Sequence, residues 1–414
     1  MYLTYNPTGL QAASHNRDKI FILLNKNLIT YYNTMDLKKL REQIDDIDTQ
    51  MCDLFAKRMQ VVSEIGRYKK DNNLPVYHPS RARTVLHNVS KRLGPEFEGY
   101  GRTLYRTIFD LSESYETRML SEGSDFYEKI KAITSTPPCP FPKRASVACA
   151  GCEGSYAHLA SERLFDLPEI MYLNGFEGVF KSVASGLCEY GVLPIENSLA
   201  GSVNAIYDLL AQYNVSIVRG VRLKVDHALL GVPGAKLSDI REIYSHQQAI
   251  SQCSEFLSTL KDVRVIAVEN TAEAARMVAD LGDRTKASLS SRLCAELYQM
   301  QVLKSGAQNR DNNYTRFICI AKEPKMYSGA DRTSIMINIP NRPGALFRIM
   351  SRFNASGVNL LKLESRQIPE REFEYRFYFD IEASVYSDEF LSLMCELQEC
   401  GEQFKDFGTY AEII

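Results

Sequence analysis

Three short polar segments of this chain could perform chemistry: Gly154–Tyr156, Ile195–Ser198 and Tyr314–Phe317. Each combines hydroxyl or amide side chains with small residues in a stretch that is typical of a turn or a strand end. An α/β protein places its ligand contacts in such stretches, where a rigid sheet presents them to a cleft. We therefore predict a cleft in which hydroxyls and amides, and no metal, act on the substrate.

Four cations form a second candidate site in the first third of the chain: Arg41, Arg58, Lys69 and Arg81. A single cation on a helix usually belongs to a solvated face. Arg58 and Lys69, however, are eleven residues apart, or three turns, so they share a face. Arg41 precedes Arg58 by seventeen residues, about 25 Å along one helix. One small substrate cannot reach both, so any contact from Arg41 must come from a partner subunit.

Composition limits the classes of function. A chain of 414 residues predicts two or three domains. The net charge of −2 provides no basic field for nucleic acid or a membrane surface. Ten cysteines are scattered without a disulfide framework, which predicts a reduced, cytoplasmic protein. Cys149 and Cys152 form one CxxC, which we interpret as structural because a metal site would need a second pair. We predict no cofactor.

Helical periodicity dominates the region that follows the N-terminal residues. Residues 1–34 are predicted to be a disordered extension or a start-site artefact, and Asp36 to cap the first helix. That helix, Leu37–Lys70, contains no Pro, and its apolar residues recur at helical spacing: Leu40, Ile44, Ile47, Met51, Leu54, Val61 and Ile65. Helices over Pro79–Leu93 and Pro95–Leu120 follow. Three helices cannot cover so long an apolar stripe, so we expect a dimer.

The remaining chain changes pattern twice. A Pro-rich linker, 122–144, is centred on Pro137–Pro142. Short strands then alternate with helices, which predicts an α/β domain with mostly parallel strands. The last part predicts a βαββαβ order, the ferredoxin-like arrangement.

These segments resemble three known modules. The three polar segments, with Ser245–Gln248 and Gln252, are similar to prephenate dehydratase from about Ser146 to Lys322; the Thr-Arg-Phe signature is the most specific part. Leu37–Leu120 resembles the helical chorismate mutase, and Thr333–Ile413 resembles an ACT regulatory module. This domain order is that of the bifunctional P-protein family of phenylalanine synthesis. The resemblance implies a multidomain chain with an all-α mutase domain (35–121), an α/β two-lobed, periplasmic-binding-protein-like dehydratase domain (145–323) and an α+β ferredoxin-like ACT domain (332–414).

The resemblance to chorismate mutase implies a pocket for a dianion. Lys69 and Glu116 would act on the reacting ether oxygen, and the substrate would be bound by Arg41 (from the partner), Arg58, Arg81 and Ser112. The reaction is a pericyclic rearrangement, for which conformational restraint and cations suffice. Some members have Gln in place of Glu116, and many have Glu where this chain has Ala82.

The resemblance to prephenate dehydratase implies a site that expels a hydroxyl and a carboxylate from prephenate. The implied catalytic residues are Asn197, Ser245, Gln252 and Thr315, with Glu196, Ser198 and Arg316 as substrate-binding residues. Thr315 would donate a hydrogen bond to the departing hydroxyl. His246 is interpreted as a positioning or loop residue, because Gln247 replaces the usual Pro. Taken separately, these residues would be ordinary turn and strand residues.

The resemblance to ACT modules implies a phenylalanine site. The Pro-Gly turn ahead of a helix offers free backbone N–H groups to a carboxylate. The implied effector residues are Asn341, Pro343, Gly344, Ala345, Leu346, Glu364, Ser365 and Arg366. Gln367 stands where Pro is usual, and a plain dimerisation module is the alternative.

We therefore predict a cytoplasmic homo-oligomer, dimer or tetramer, that acts on chorismate and prephenate and is inhibited by phenylalanine, without nucleic-acid or membrane partners. One alternative is a dehydratase with an inactive, dimerising helical domain, which Ala82 favours. Another is a non-catalytic amino-acid sensor.

Overall fold

The computed structural model describes residues 37–72, 74–76, 78–369, 371–383, 385–386 and 388–414. The predictions for residues 1–34 and for an Asp36 cap lie outside these residues. The chain forms two compact units, which divide between Leu120 and Ser121. No helix among the described residues is long and apolar enough to cross a membrane.

The first unit consists of helices α1 (Leu37–Asp71) and α2 (Pro79–Ser121). The prediction of a break at Gly94 is confirmed, because Gly94 has φ 73° inside α2 and so interrupts the helical backbone. Gly66 of α1 is buried, and a Cβ there would lie 3.5 Å from Cγ of Glu116 on α2. A small residue at this point lets the two helices approach closely.

The described residues leave the apolar stripe of α1 largely uncovered. Its buried residues are Val62 and Gly66, whereas Ile44, Met51 and Leu54 are 56%, 49% and 65% exposed. Exposed apolar side chains repeated at helical spacing leave a surface that water solvates poorly.

The second unit contains two β-sheets. Its strands are β1 Arg144–Ala150, β2 Leu167–Leu173, β3 Tyr190–Asn197, β4 Gly201–Ser202, β5 Ser216–Lys224, β6 His227–Gly231, β7 Glu242–His246, β8 Arg264–Val268, β9 Lys286–Ser291, β10 Gln301–Lys304, β11 Tyr314–Ala321, β12 Arg332–Asn338, β13 Asn359–Gln367, β14 Tyr375–Glu382 and β15 Gln403–Ile413. Its helices are α3 Asp125–Ser135, α4 Tyr156–Leu164, α5 Gly175–Ser185, α6 Asn204–Gln212, α7 Gln247–Gln252, α8 Ser254–Ser258, α9 Thr271–Leu281, α10 Leu293–Leu297, α11 Ala345–Ala355 and α12 Asp388–Cys400, with a 3-10 turn at Leu237–Asp239.

The two sheets are the bases of two lobes. One sheet of five strands has the order β10-β6-β9-β7-β8, and the other has ten strands, ordered β13-β14-β12-β15-β5-β11-β3-β1-β2 with β4 beside β3. The lobe around β1, β2 and β3 is parallel, whereas β11 runs antiparallel to β3 and β5. The predicted α/β architecture with mostly parallel strands therefore holds in part, because the strand that returns from the second lobe pairs antiparallel.

The C-terminal part has the predicted βαββαβ order. Its strands lie in the spatial order β15-β12-β14-β13, which is the ferredoxin-like order 4-1-3-2. Helices α11 and α12 cover one face over a core that includes Ile335, Phe353 and Phe379. Strand β15 also pairs in parallel with β5, so it joins this sheet to the sheet of the first lobe.

The prediction that residues 122–144 form only a Pro-rich linker is wrong. Helix α3 lies inside this segment, is capped by the Ser124 hydroxyl and buries Ile130 in the C-terminal core. Phe126, Ile130 and Ile133 recur at helical spacing and provide one apolar face. The Pro-rich segment Pro137–Pro142 after this helix also packs on the domain, because Cys139 forms a backbone β-bridge with Tyr327. The helical segment that follows β7 is divided at Cys253 into the two short helices α7 and α8.

Candidate active sites

The helical unit brings four of its predicted site residues together between α1 and α2. Lys69 Nζ lies 2.6 Å from Oε2 of Glu116 and donates to the Val76 carbonyl at 2.7 Å. Arg58 donates to the Ser112 hydroxyl, and its guanidinium lies 5.9 Å from the centre of the Phe109 ring. This is a compact group of two cations, one carboxylate and one hydroxyl.

Burial gives this group its electrostatic character. Ser112 and Glu116 are 5% and 6% exposed. Desolvation lowers the pKa of Arg58, and Tyr105 and Glu116 oppose that effect. Cations in such partly dry surroundings attract an anionic ligand more strongly than they would in water. The group can therefore bind a small dicarboxylate.

Two of the predicted mutase residues lie outside this group. Arg41 is exposed on the first turns of α1, and Arg81 is exposed at the start of α2. The separation of Arg41 from Arg58 along α1 agrees with the expectation that one chain does not bring both cations to one ligand.

A cavity of about 430 Å³ lies between the two lobes of the second unit. Helices α4 and α9 begin at its wall, capped by Ser155 and Asn270, and the shorter α7 is capped there by His246. Helix N-termini carry partial positive charge and free N–H groups. Among the described residues that line this cavity, Glu269 is acidic and none is Lys or Arg. A carboxylate here would be held by dipoles and hydrogen bonds.

Asn197 and Thr315 meet at the cavity wall. The Asn197 amide donates to Oγ1 of Thr315 at 3.0 Å and to Oδ1 of Asn313 at 2.7 Å. Its own oxygen accepts from the backbone N–H groups of Leu199 and Ala200, which closes the turn after β3. Because the Thr315 oxygen already accepts a hydrogen bond, its single proton can point into the cavity.

Gln252 lies in the same network from the other lobe. Its Oε1 accepts from Nδ2 of Asn313 at 2.9 Å and lies 3.1 Å from Nε2 of His227. Burial lowers the pKa of His227, although the hydrogen bond with Gln252 and the charge of Asp226 oppose this. A neutral imidazole therefore donates to Gln252 and leaves the Gln252 amide N–H groups for a ligand.

Two other predicted dehydratase residues do not line this cavity. Ser245 is fully buried, and its hydroxyl donates to the Leu289 carbonyl at 2.6 Å. Ser198 is exposed and bonds Asn312 and the N–H of Tyr314. Both hold backbone segments near the site. His246 lines the cavity and accepts from the N–H of Gln248, in agreement with the positioning role predicted for it.

Glu196 and Arg316 point away from the cavity. Side chains alternate along a strand, so the neighbours of Asn197 and Thr315 face the opposite side of the sheet. Arg316 lies 2.6 Å from Asp380 of the C-terminal part, and Glu196 lies 2.9 Å from Lys362. The structure contradicts a direct substrate contact for both residues, because their charges are paired on the far face.

The predicted effector residues occupy two places in the C-terminal part. Gly344 has φ 83° and caps α11, while Ala345 is buried just behind it. On β13, Glu364 accepts from the Ser202 hydroxyl at 2.8 Å, and Arg366 lies 3.0 Å from Asp208. Ser365 lies on the other face of the strand. The remaining residues of the set, in and next to the turn before α11, are Asn341, Pro343 and Leu346.

Sequence reasoning missed three contributors to the cleft: His227, Asn313 and Asn270. Each stands next to a strand end or a helix start, but so do many polar residues of this chain. Their roles depend on contacts between distant segments, such as that between Asn313 and Gln252. A weak signal existed for Asn313, because it directly precedes the Thr-Arg-Phe segment.

Comparison with known proteins identifies the families to which the two regions belong. Residues 40–117 match the family model of chorismate mutase type II, and residues 147–325 match that of prephenate dehydratase. The bifunctional chorismate mutase/prephenate dehydratase of Enterobacter agglomerans is 30% identical over 383 residues, which cover 90% of this chain and 95% of that protein.

Two solved structures resemble about two thirds of this chain. Prephenate dehydratase from Arthrobacter aurescens, solved with L-Phe, has a TM-score of 0.59 and 25% identity, covering 64% of this chain and 89% of that one. GqqA, described as a novel type of quorum quenching acylase, has a TM-score of 0.59 and 29% identity, covering 64% of this chain and 97% of that one.

A helical isomerase joined to a two-lobed lyase defines a bifunctional enzyme of aromatic amino acid synthesis. The chain belongs to the family of bifunctional chorismate mutase/prephenate dehydratases. It rearranges chorismate to prephenate and then dehydrates and decarboxylates prephenate to phenylpyruvate. The predicted family and both predicted activities are confirmed.

Proposed function

We propose that Thr315 promotes departure of the prephenate hydroxyl by donating a hydrogen bond to it. The observation that carries this proposal is the hydrogen bond from Asn197 to Oγ1 of Thr315 at 3.0 Å. Because the oxygen accepts this hydrogen bond, the Thr315 proton is free to be donated to the leaving group. Asn313 holds Asn197 from behind. Hydrogen bonding to a leaving group is worth most when the donor is already oriented.

We propose that neutral donors hold the prephenate carboxylates in this cleft. The N-termini of α4 and α9 and the Gln252 amide are available to them. One carboxylate must leave as carbon dioxide, and a direct ion pair with Lys or Arg would stabilise it in the ground state. Dipoles bind the dianion without fixing a counterion beside the group that loses its charge.

In the helical unit, we propose that Arg58 and Ser112 bind a chorismate carboxylate while Lys69 stabilises charge on the ether oxygen. Glu116 lies 2.6 Å from Lys69, so it orients this cation and stands beside the reacting atoms. Arg81 would bind from the start of α2. Arg41 would complete the pocket of a second copy, since a homodimer that pairs two α1 helices would cover the exposed apolar stripe.

We propose that residues 332–414 are an ACT domain that binds phenylalanine. The ferredoxin-like strand order supports this assignment, and the related Arthrobacter enzyme was solved with L-Phe. The turn Asn341–Leu346 would receive the effector carboxylate, with Glu364, Ser365 and Arg366 nearby on β13. We place the enzyme in the cytoplasm, a setting that suits ten cysteines that form no disulfide.

A time course with chorismate alone tests the assignment of both sites. Wild-type protein should accumulate prephenate and then phenylpyruvate. Thr315→Val should stop the sequence at prephenate, and Arg58→Ala should prevent prephenate from forming but still convert added prephenate. Loss of both activities in either variant would contradict the assignment to two separate sites.

A further inference from the structure

Two adjacent residue pairs on β3 and β11 face opposite sides of one sheet. Thr315 lies opposite Asn197, and in the next register position Arg316 lies opposite Glu196. The first pair faces the cleft and the second faces the C-terminal domain. Because all four residues share two short backbone segments, a shift of one pair moves the other.

Acceptors of the C-terminal domain enclose the Arg316 side chain, which is 7% exposed. Its Nη1 lies 2.6 Å from Oδ2 of Asp380, and its Nη2 donates to the Tyr410 hydroxyl at 2.6 Å. Its Nε lies 2.8 Å from Oε2 of Glu412. Burial alone would lower the pKa of Arg316, but Tyr410, Asp380 and Glu412 raise it well above its ordinary value. Both Nη atoms of this permanent cation are therefore hydrogen-bonded to groups other than substrate, and Nε lies within ion-pair distance of Glu412.

The acceptors are themselves fixed. Asp380 accepts from the Ser334 hydroxyl at 2.5 Å. Glu412 forms further ion pairs with Arg222 at 2.5 Å and Arg332 at 2.8 Å. Strand β15, which carries Glu412, pairs directly with β5, the neighbour of β11. The anchor is thus a charged network that joins the dehydratase strands of the ten-stranded sheet to its C-terminal strands.

We infer that Arg316 is a positioning residue of the dehydratase site, which holds Thr315 at the cleft by anchoring its strand to the C-terminal domain. The C-terminal domain is then a structural part of the catalytic centre. This inference rests on the proposed role of Thr315 in the dehydration step.

The expected consequence of disturbing the network is a loss of rate without a loss of binding. Removing one partner of a buried ion pair leaves an uncompensated charge, so the strand relaxes around it. A displacement of about 1 Å at a reacting group can reduce a rate ~10²-fold. Substrate affinity depends on the helix N-termini and amides elsewhere in the cleft, and these are not touched.

Three variants test the inference: Arg316→Lys, Asp380→Asn and Tyr410→Phe. We expect kcat for prephenate to fall ~10–100-fold in the first two and less in Tyr410→Phe, with KM within about twofold of wild type. The double variant Arg316→Lys/Asp380→Asn should be no slower than the slower single variant, because both remove one interaction. Mutase activity of the same sample measures the enzyme concentration, and the thermal unfolding transition of the second unit measures how much of that unit is folded.

Arg352→Lys is the matched control. The Arg352 side chain is 6% exposed and lies 3.5 Å from Glu396, an ion pair of the same domain away from β11. It should retain the wild-type kcat even if its melting temperature falls. Equal losses of kcat in Arg352→Lys would reduce Arg316 to a general stabilising role.

Two results would overturn the inference. If Arg316→Lys raises KM tenfold or more at unchanged kcat while Asp380→Asn behaves as wild type, Arg316 contacts a substrate carboxylate. If all three variants keep the wild-type kcat, the strand needs no anchor. Tyr410→Phe keeps the ring and loses one oxygen, so it still reports if the charge variants fail to fold. Thr315→Val tests the role of Thr315 separately.

Discussion

The two proposed catalytic sites differ in the groups that would hold their dianionic substrates. The helical site uses ionised side chains, with Lys69 and Arg58 beside Glu116 and Ser112. The cleft uses amides, hydroxyls and helix N-termini, with no Lys or Arg among its described lining residues. A rearrangement keeps every atom of its substrate, so strong ion pairs can persist. A reaction that releases carbon dioxide and water is better served by weaker, directional contacts.

The sites also differ in completeness. All residues of the cleft come from one chain. They are held by contacts between the two lobes and by contacts with the C-terminal domain. In the proposed helical site, Arg41 lies far from Arg58 along α1, and the described residues leave the apolar stripe of α1 exposed. Mutase activity should therefore depend on the association of two subunits. Dehydratase activity should depend on contacts between the dehydratase lobes and the C-terminal domain of the same chain.

The largest expected effect separates the two chemistries. Thr315→Val keeps the side-chain shape but removes the donor, so kcat for prephenate should fall ~10²–10⁴-fold while mutase kcat stays unchanged. Rates of prephenate consumption and chorismate consumption measure this. Thr333→Val, which removes a buried hydroxyl paired with Thr409, should retain dehydratase kcat. A Thr315→Val enzyme with nearly wild-type turnover would refute the hydroxyl's role.

Subunit mixing tests the contrast in completeness. Arg41→Ala and Arg58→Ala should each lack mutase activity, because each disables both pockets of a dimer. Random exchange of subunits should restore about a quarter of wild-type activity, since half of the dimers are mixed and each holds one intact pocket. Dehydratase activity should be the same before and after mixing. Mixed dimers that form, as mass spectrometry would show, but stay inactive would place the mutase site within one chain.

A third prediction concerns inhibition. Gly344 has φ 83° at the start of α11 and Gly357 has φ 63° beyond its end, and a Cβ at either position would meet no neighbouring atom within 4 Å. Gly344→Leu should therefore block the effector turn and weaken phenylalanine inhibition ~5–150-fold, the range of a typical allosteric coupling. Gly357→Leu carries the same backbone strain and should keep its inhibition curve. Identical titrations for the two variants would move the effector site elsewhere.

The smallest expected effect is on the stability of the second unit, which should depend on pH through Asp406. Burial raises the pKa of Asp406 to about 6, although the Gly408 N–H and Lys129 oppose this. Because the folded state then binds the proton more tightly than the unfolded state, Asp406 makes the second unit less stable as pH rises from about 4 to above 6. Asp406→Asn, which keeps an oxygen for Gly408, should raise the melting temperature more at pH 8 than at pH 5. An equal change at both pH values in calorimetry would contradict this.

Much of the fold followed from local pattern, because helix periodicity and turn residues fix α1, α2 and the βαββαβ order. The site residues followed only in part. Asn197 and Thr315 were recognised by resemblance, but strand alternation already excludes Arg316 from the side that Thr315 faces. Ser245 could not be assigned from sequence, because its partner, the Leu289 carbonyl, lies on another strand. Long-range pairing of this kind has no local signature.

Strand β15 has a consequence for how the protein folds. It pairs with β5, so residues 225–402 must be synthesised before that edge of the catalytic sheet is covered. Pairing between such distant segments is slow, and an open strand edge is a template for aggregation in the meantime. A nascent dehydratase domain therefore emerges from the ribosome with one edge of β5 unpaired, and we expect it to need chaperone protection until β15 arrives.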